Sequence, residues 1–429
     1  LSFITATQSN WFLIGPIAKV LGYLMNWIFM GISAIGLPSI GLAIILFTLV
    51  IKALMIPLSI RQQKFSKLQA VMQPELQRIQ AKYKGKTDNA SMMAQQEETK
   101  EVYAKYGTSA TGGCLQTLIQ MPVLFALYQV IYKLPGYITE LKGYYLPIAN
   151  ALNNISGYDT NEELLSMVTT NGVKKAELIL SSNPDHLNYI IDMMYNFTKE
   201  EWQTFLNIFN NADLTAAYQA AAGSIDKANY FLGIDLTMTP MQQLWPAVFI
   251  PILAGGLQWL STKLMEMGNK TGSKPAQKND QQDMMKSMNV MFPIMSVVFC
   301  FMFNAGLGVY WVASSGIQVI IQLIVNKYMD KVDLDEMVKK NVEKMNAKRV
   351  KKGLPEKKVT NITSEVHNIE EEVQKEKAIE ANLAEKAKAS TEYYASTSTA
   401  KKGSLAEKAG MVLQYEERQK DLKSGKSKE

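Results

Sequence analysis

Hydrophobic and polar positions are segregated along this chain into long apolar runs separated by strongly charged blocks. Residues 38–60, 112–135, 241–262, 288–303 and 306–327 each read as an apolar helical span, because about 20 mostly apolar residues cross a hydrocarbon core near 30 Å. The 288–303 segment is short at about 1.5 Å per residue, so a thinned bilayer or flanking residues would have to absorb the mismatch. Only Asn304-Ala305-Gly306 separate it from the last span, which is too little for anything but a tight turn.

Between the first two spans, residues 61–111 carry nine Lys or Arg against five Asp or Glu. Pro74 followed by Glu75 fits the opening turn of a helix, where no N–H is needed and acidic residues are favoured. A turn at Lys84-Gly85-Lys86 and a second helical run to Tyr106 predict a helical hairpin, and Gly112-Gly113 open the next span. Residues 1–37 form an N-terminal segment that is apolar but punctuated by Lys19 and Asn26, with Trp11 and Trp27 suited to the headgroup level. That punctuation favours an interfacial helix over a span.

Residues 136–240 break the alternation with twelve Asp or Glu against five Lys, and short apolar runs at Ala176–Leu180 and Trp202–Ile208. A small, mainly helical insert is expected there. From 328 to 429 the chain is a charged tail; from residue 330 onward it holds 22 Lys or Arg and 19 Asp or Glu. Its composition reads as helical patches and disorder rather than a packed domain. The loop 263–287 has five lysines and three acids. The positive-inside rule therefore places the hairpin, this loop and the tail in the cytoplasm and the acidic insert outside. The fold class that results is all-α and polytopic: a five-helix transmembrane core, a cytoplasmic helical hairpin and an N-terminal interfacial helix.

Composition changes this picture little. The chain has 429 residues, 47% of them hydrophobic, with a net charge of +6, and a mean hydropathy of -0.06; these averages hide the segregation. Cys114 and Cys300 both lie in apolar runs and suggest neither a disulfide framework nor a metal site. His186 and His367 have no obvious partners. The sequence starts at Leu1 without a Met, which is compatible with a processed signal or a truncated start.

Lys52 carries the most information. Its neighbours Val50, Ile51, Ala53, Leu54 and Met55 are apolar, and a charge at that depth costs at least about 2.5 kcal/mol. It could snorkel, since residue 60 lies only about 12 Å further along a helix. Alternatively it faces a water-filled cavity, the reading favoured because charges inside membranes usually mark function. The remaining polar groups in the spans are neutral: Gln116 and Gln120, Gln258, and Gln318 and Gln322. Each close pair is four apart and shares a helix face. Interhelical hydrogen bonding, about 0.6 kcal/mol each, would explain them equally well; beside Lys52 they suggest a polar recess. No Asp or Glu occurs in any of the five spans, which counts against a proton relay or cation-coupled transporter. Gly255 and Gly256 permit close helix approach. The methionines at 284, 285, 288, 291 and 295 read as core filler, with a flexible substrate-binding surface as the alternative.

Several motifs resemble those of the YidC/Oxa/Alb membrane insertases, over roughly residues 16–135 and 230–327. They are Ile56-Pro57-Leu58 with Gln73-Pro74-Glu75-Leu76, Gly113-Cys114-Leu115-Gln116-Thr117-Leu118-Ile119-Gln120-Met121-Pro122 continuing to Phe125-Ala126-Leu127-Tyr128, Phe231-Leu232-Gly233-Ile234-Asp235-Leu236, and Ala305-Gly306-Leu307 with Tyr310-Trp311. The bacterial, Gram-positive type is the nearest likeness. The resemblance implies a multi-pass plasma-membrane protein that inserts and helps fold other membrane proteins, without a chemical reaction, cofactor or metal. It implies a hydrophilic groove open to cytoplasm and lipid, lined by Lys52, Gln120, Gln258, Trp311 and Gln318. Implied partners are nascent membrane proteins and the lipid bilayer, with the ribosome and Sec translocon as candidates and DNA not among them. Lys52 stands where most members have Arg, Asn304 where Pro is usual and Ser315 where Asn is common; the acidic insert has no counterpart. A transporter or channel using the same recess is the alternative, and a scaffold whose insert binds a partner is a third reading.

Overall fold

The first apolar run does not stop at residue 60. In this computed structural model, which describes residues 14–109, 114–171, 175–268 and 280–351 with Phe12, Val173 and scattered tail positions, it continues as one helix, α2, over Ile40–Tyr83. Ser39 caps it, its hydroxyl accepting from the backbone N–H of Leu42 at 3.4 Å. Pro74, which the sequence suits to a helix start, lies inside α2. Burial explains the continuity: Leu68, Val71, Met72 and Leu76 form a buried seam with Val102 and Tyr106. That packing overrides the proline's local preference. The return arm is α3, Asn89–Lys105, capped by Asp88. Its end is tied to α2 through Glu75, which accepts from Lys105 at 2.9 Å and from the Tyr106 hydroxyl at 2.7 Å.

Ahead of α2 lies α1, Ile14–Ala34. Its buried residues Ala18, Leu21, Met25, Phe29 and Ile32 recur every three or four positions, a single face packed against α2 and against α4, Cys114–Tyr132. The other face exposes Val20, Tyr23, Trp27 and Met30. By length and apolarity α1, α2 and α13 (Ala305–Met329) could each cross a membrane. The start of α4 at Gly112-Gly113 lies outside the described residues.

The 136–240 insert folds as five helices, α5 (Thr139–Asn153), α6 (Glu162–Thr170), α7 (His186–Tyr195), α8 (Lys199–Phe209) and α9 (Ala212–Asn229), with short 3-10 turns between them. Thr198 and Glu201 make a reciprocal capping box at the start of α8. Inside, Phe197, Trp202 and Phe205 meet edge to face or tilted, with centroids 5.2–5.9 Å apart. Such contacts add to the area that these rings bury. Two residues each of β1 (Tyr230–Phe231) and β2 (Ile234–Asp235) then form an antiparallel hairpin, the one sheet among the described residues.

The third run starts later than its apolarity suggests. A four-residue helix, α10 (Pro240–Gln243), precedes α11, which covers Phe249–Gly268. Pro246 accounts for the break, because the residue before a proline is driven out of the helical region. Helix α12 (Asp280–Met302) begins before the apolar stretch and has 23 residues, about 35 Å of helix. Gly255 lets α11 approach α12 so closely that a Cβ there would collide with Val297, whereas Gly256 faces open space. Asn304 caps α13, its side chain accepting from the Leu307 N–H at 3.1 Å, which gives this position a role that proline could not fill.

Beyond residue 330 the tail does pack in part. Helix α14, Leu334–Val350, buries Met337, Val338 and Val342 on the α2–α3 seam. Gly107, at φ +62°, makes that contact possible, since a Cβ would collide with the backbone at Asn341 and Val342. The charged composition hides this stripe because only three apolar residues carry it.

Candidate functional site

Helical spacing on α2 puts Thr48, Ile51, Lys52 and Met55 on one face. Together with Phe47 they line a small recess, which Leu21 of α1, Val123 and Leu127 of α4 and Tyr310 of α13 complete. Most of this wall is apolar. Polarity is confined to the Lys52 ammonium, the Tyr310 ring and the Thr48 hydroxyl, and that hydroxyl is already committed to the carbonyl of Ile44 at 2.6 Å.

The ammonium does not snorkel away from the bundle. Nζ of Lys52 donates to Oε1 of Gln318 on α13 at 3.2 Å. A hydrogen bond involving a charged group is worth about 1.5–3 kcal/mol, of the same order as the cost of holding the charge at depth. Trp311, Ser315, Gln318 and Gln322 form one stripe on α13. One turn before Gln318, the Ser315 hydroxyl donates to Oε1 of Gln258 on α11 at 3.2 Å. One turn after it, Gln322 donates to Asn326 at 2.7 Å, and Asn326 donates to the Leu264 carbonyl at 2.7 Å. The stripe is therefore a ladder of polar side chains joining α13 to α2 on one side and α11 on the other.

Of the residues singled out from sequence, Lys52 and Gln318 meet directly. Gln258 joins α13 through Ser315, outside the recess wall. Trp311 is half-buried and leans on Phe299, with ring centroids 6.3 Å apart. Helix α4 includes Gln116 and Gln120, but their side chains lie outside the described residues, as do those of Met284, Met285 and Met288. Met291 is exposed on α12 and Met295 half-buried.

Sequence reasoning passed over Thr48, although its place four residues before Lys52 signals a shared face. It also passed over Leu21. Leu21 lies in the first half of α1, which packs against α2 and α4.

Comparison with known proteins places these features in a family. The model of the 60Kd inner membrane protein family matches residues 30–332. The chain is 38% identical over 118 residues to the membrane protein insertase YidC of Oceanobacillus iheyensis, covering 28% of this chain and 46% of that protein. It is 37% identical over 111 residues to the membrane protein insertase YidC 1 of Halalkalibacterium halodurans, covering 26% of this chain and 43% of that one. The membrane protein insertase MisCA of Bacillus subtilis is 40% identical over 93 residues, covering 22% of this chain and 35% of MisCA. The aligned stretches span less than half the length of each of these relatives.

Proposed function

The chain belongs to the 60Kd inner membrane protein family, the YidC/Oxa group, and from that premise we propose that it inserts membrane proteins into the bilayer and helps them fold. In this reading the upper part of α2 with α4, α11, α12 and α13 forms the membrane core. The α2–α3 hairpin and α14 lie on the cytoplasmic side and the acidic insert outside, as the lysine distribution favours. Nascent membrane proteins are the substrates, delivered by ribosomes or the Sec translocon.

The observation that carries the proposal is the Lys52–Gln318 pair beside a small recess lined by four helices. A polar or acidic segment entering from the cytoplasm would exchange water for these groups rather than for hydrocarbon, and so meet a lower desolvation barrier. The apolar walls would meanwhile accept the flanking hydrophobic residues, and the substrate's helix would leave along the lipid-facing sides. Lys52→Ala is expected to impair insertion of single-span substrates with acidic outer tails into proteoliposomes, and Lys52→Arg to preserve it. Unchanged insertion by a normally folded Lys52→Ala protein would falsify the groove mechanism. A photocrosslinker at position 52 should also capture a stalled nascent chain. Ion flux through the same vesicles would point instead to a transporter or channel.

A further inference from the structure

A cluster of exposed large apolar side chains lies between β1 and the start of α11. Leu232 is 80% exposed and Trp245 74%, and Met241, Leu244 and Phe249 are exposed with them. They belong to one small rigid unit. Gln243 clamps β2 to α10 by accepting from the Asp235 N–H at 2.9 Å and donating to the Asp235 carbonyl at 2.7 Å. Asp235 itself accepts from the N–H and hydroxyl of Thr237. The hairpin turn reaches Pro246, next to Trp245, whose ring meets Phe249 edge to face with centroids 4.9 Å apart.

Leu232 and Leu244 are unusual beyond their exposure. Both have positive φ, +53° and +47°, where glycine and asparagine are the ordinary occupants and a bulky side chain is disfavoured. Leu232 occupies, with Gly233, the two-residue turn between paired Phe231 and Ile234, a place where Asn-Gly is usual. Water would favour a polar residue at both positions; an apolar surround would not.

We propose that this unit, residues 232–249, is an anchor that rests in the headgroup region of the outer leaflet and sets the depth and tilt of the insert. The occupant is lipid because the patch runs without a break into the exposed apolar face of α11, at Phe249, Ile252 and Leu253. Trp245, ahead of the first turn of α11, stands where aromatic residues mark membrane interfaces. The anchor rests on the reading that α11 spans the membrane.

The test uses the full chain in proteoliposomes, with Cys114 and Cys300 replaced by alanine and single cysteines carrying an environment-sensitive fluorophore. Leu232→Cys and Leu244→Cys are the anchor sites, Gln219→Cys on exposed α9 is the water control, and Ile252→Cys is the span control. At 232 and 244 the fluorophore should be shielded from aqueous iodide several-fold more than at 219, and quenched by lipids with a nitroxide near the headgroup. Iodide access equal to position 219 would overturn the anchor. So would shielding from both iodide and lipid nitroxides, which would mean that protein covers the patch. If position 252 escapes quenching by deep nitroxides, the spanning reading fails and removes the anchor's premise. If 252 is quenched and 232 and 244 are not, the anchor alone fails.

Discussion

The insert and the helical bundle differ in what lies at their centres, an aromatic core in one and a polar ladder in the other. In the insert most polar side chains bond within a few residues: Thr198 with Glu201, Asn161 with Leu164 and Asn211 with Leu214 all cap local helices. The aromatic core among α7, α8 and α9 then closes over them, with Trp202 packed on Tyr218 at 4.6 Å between centroids. In the bundle several hydroxyls also bond four residues back, as Thr48 does to Ile44, but three rungs of the ladder reach across the chain. Lys52 bonds a residue 266 positions away, Ser315 one 57 away and Asn326 one 62 away, with a small recess beside Lys52. Local bonds and a filled core make a rigid part. Long-range bonds beside a recess make one whose partners can be exchanged, because a neutral bond of this kind is worth only about 0.6 kcal/mol when the alternative is another partner in the membrane.

The sharpest way to break the comparison is to open the packed side. Phe205→Ala removes a fully buried ring and should destabilise the insert by about 3–5 kcal/mol. Thermal unfolding followed by near-ultraviolet circular dichroism would read it. A much smaller loss would mean that the insert is not the rigid partner. The next effect concerns the hairpin. Gly107→Ala forces a side chain into a left-handed backbone and against α14, with a penalty of at least about 1–2 kcal/mol. Hydrogen exchange should show residues 334–350 losing protection while α5–α9 keep theirs. On the open side, Ser315→Ala deletes one rung of the ladder and should cost no more than about 1 kcal/mol. A loss as large as that of Phe205→Ala would show that the bundle's bonds are structural rather than exchangeable.

How far each region could be read from sequence follows the same division. Helices α2 and α13 were legible as long enough and apolar enough to span because a bilayer selects on apolar length, which needs no partner. Lys52 was legible because a charge within such a run has few uses. The resemblance put Lys52 and Gln318 on one groove, but that they bond each other was not legible, since nothing local links positions 52 and 318. Other features were hidden because they depend on tertiary contact. Burial of four residues against α3 and α14 carries α2 through Pro74, and Leu21 enters the recess only because α1 packs against α2 and α4. Likewise three apolar residues in α14 were too few to lift a charged tail above its composition.

The smallest effect tests whether the hairpin tip belongs with the local or the exchangeable class. At the tip, Glu98 accepts from Lys82 at 2.6 Å and from the Tyr83 hydroxyl at 2.9 Å. These bonds hold its carboxyl below the ordinary value of 4.5. Asp88 is likewise held below 3.8 by the N–H and hydroxyl of Ser91 at the start of α3. Because both folded values are depressed, the stabilisation is fully present above the unfolded values and is lost as pH falls through the folded ones. Both groups are exposed, so solvent screening keeps the effect small. Hydrogen exchange over residues 82–98, corrected for intrinsic rates, should therefore stay flat from neutral pH to near 4.5 and quicken below it. Glu98→Gln should shrink that response, leaving the part due to Asp88. The insert's Phe197, Trp202 and Phe205 cluster, which has no titrating group of its own, should show no change across the same range. If tip and core respond alike, acid is loosening the whole protein and the division drawn between local and long-range bonding does not hold.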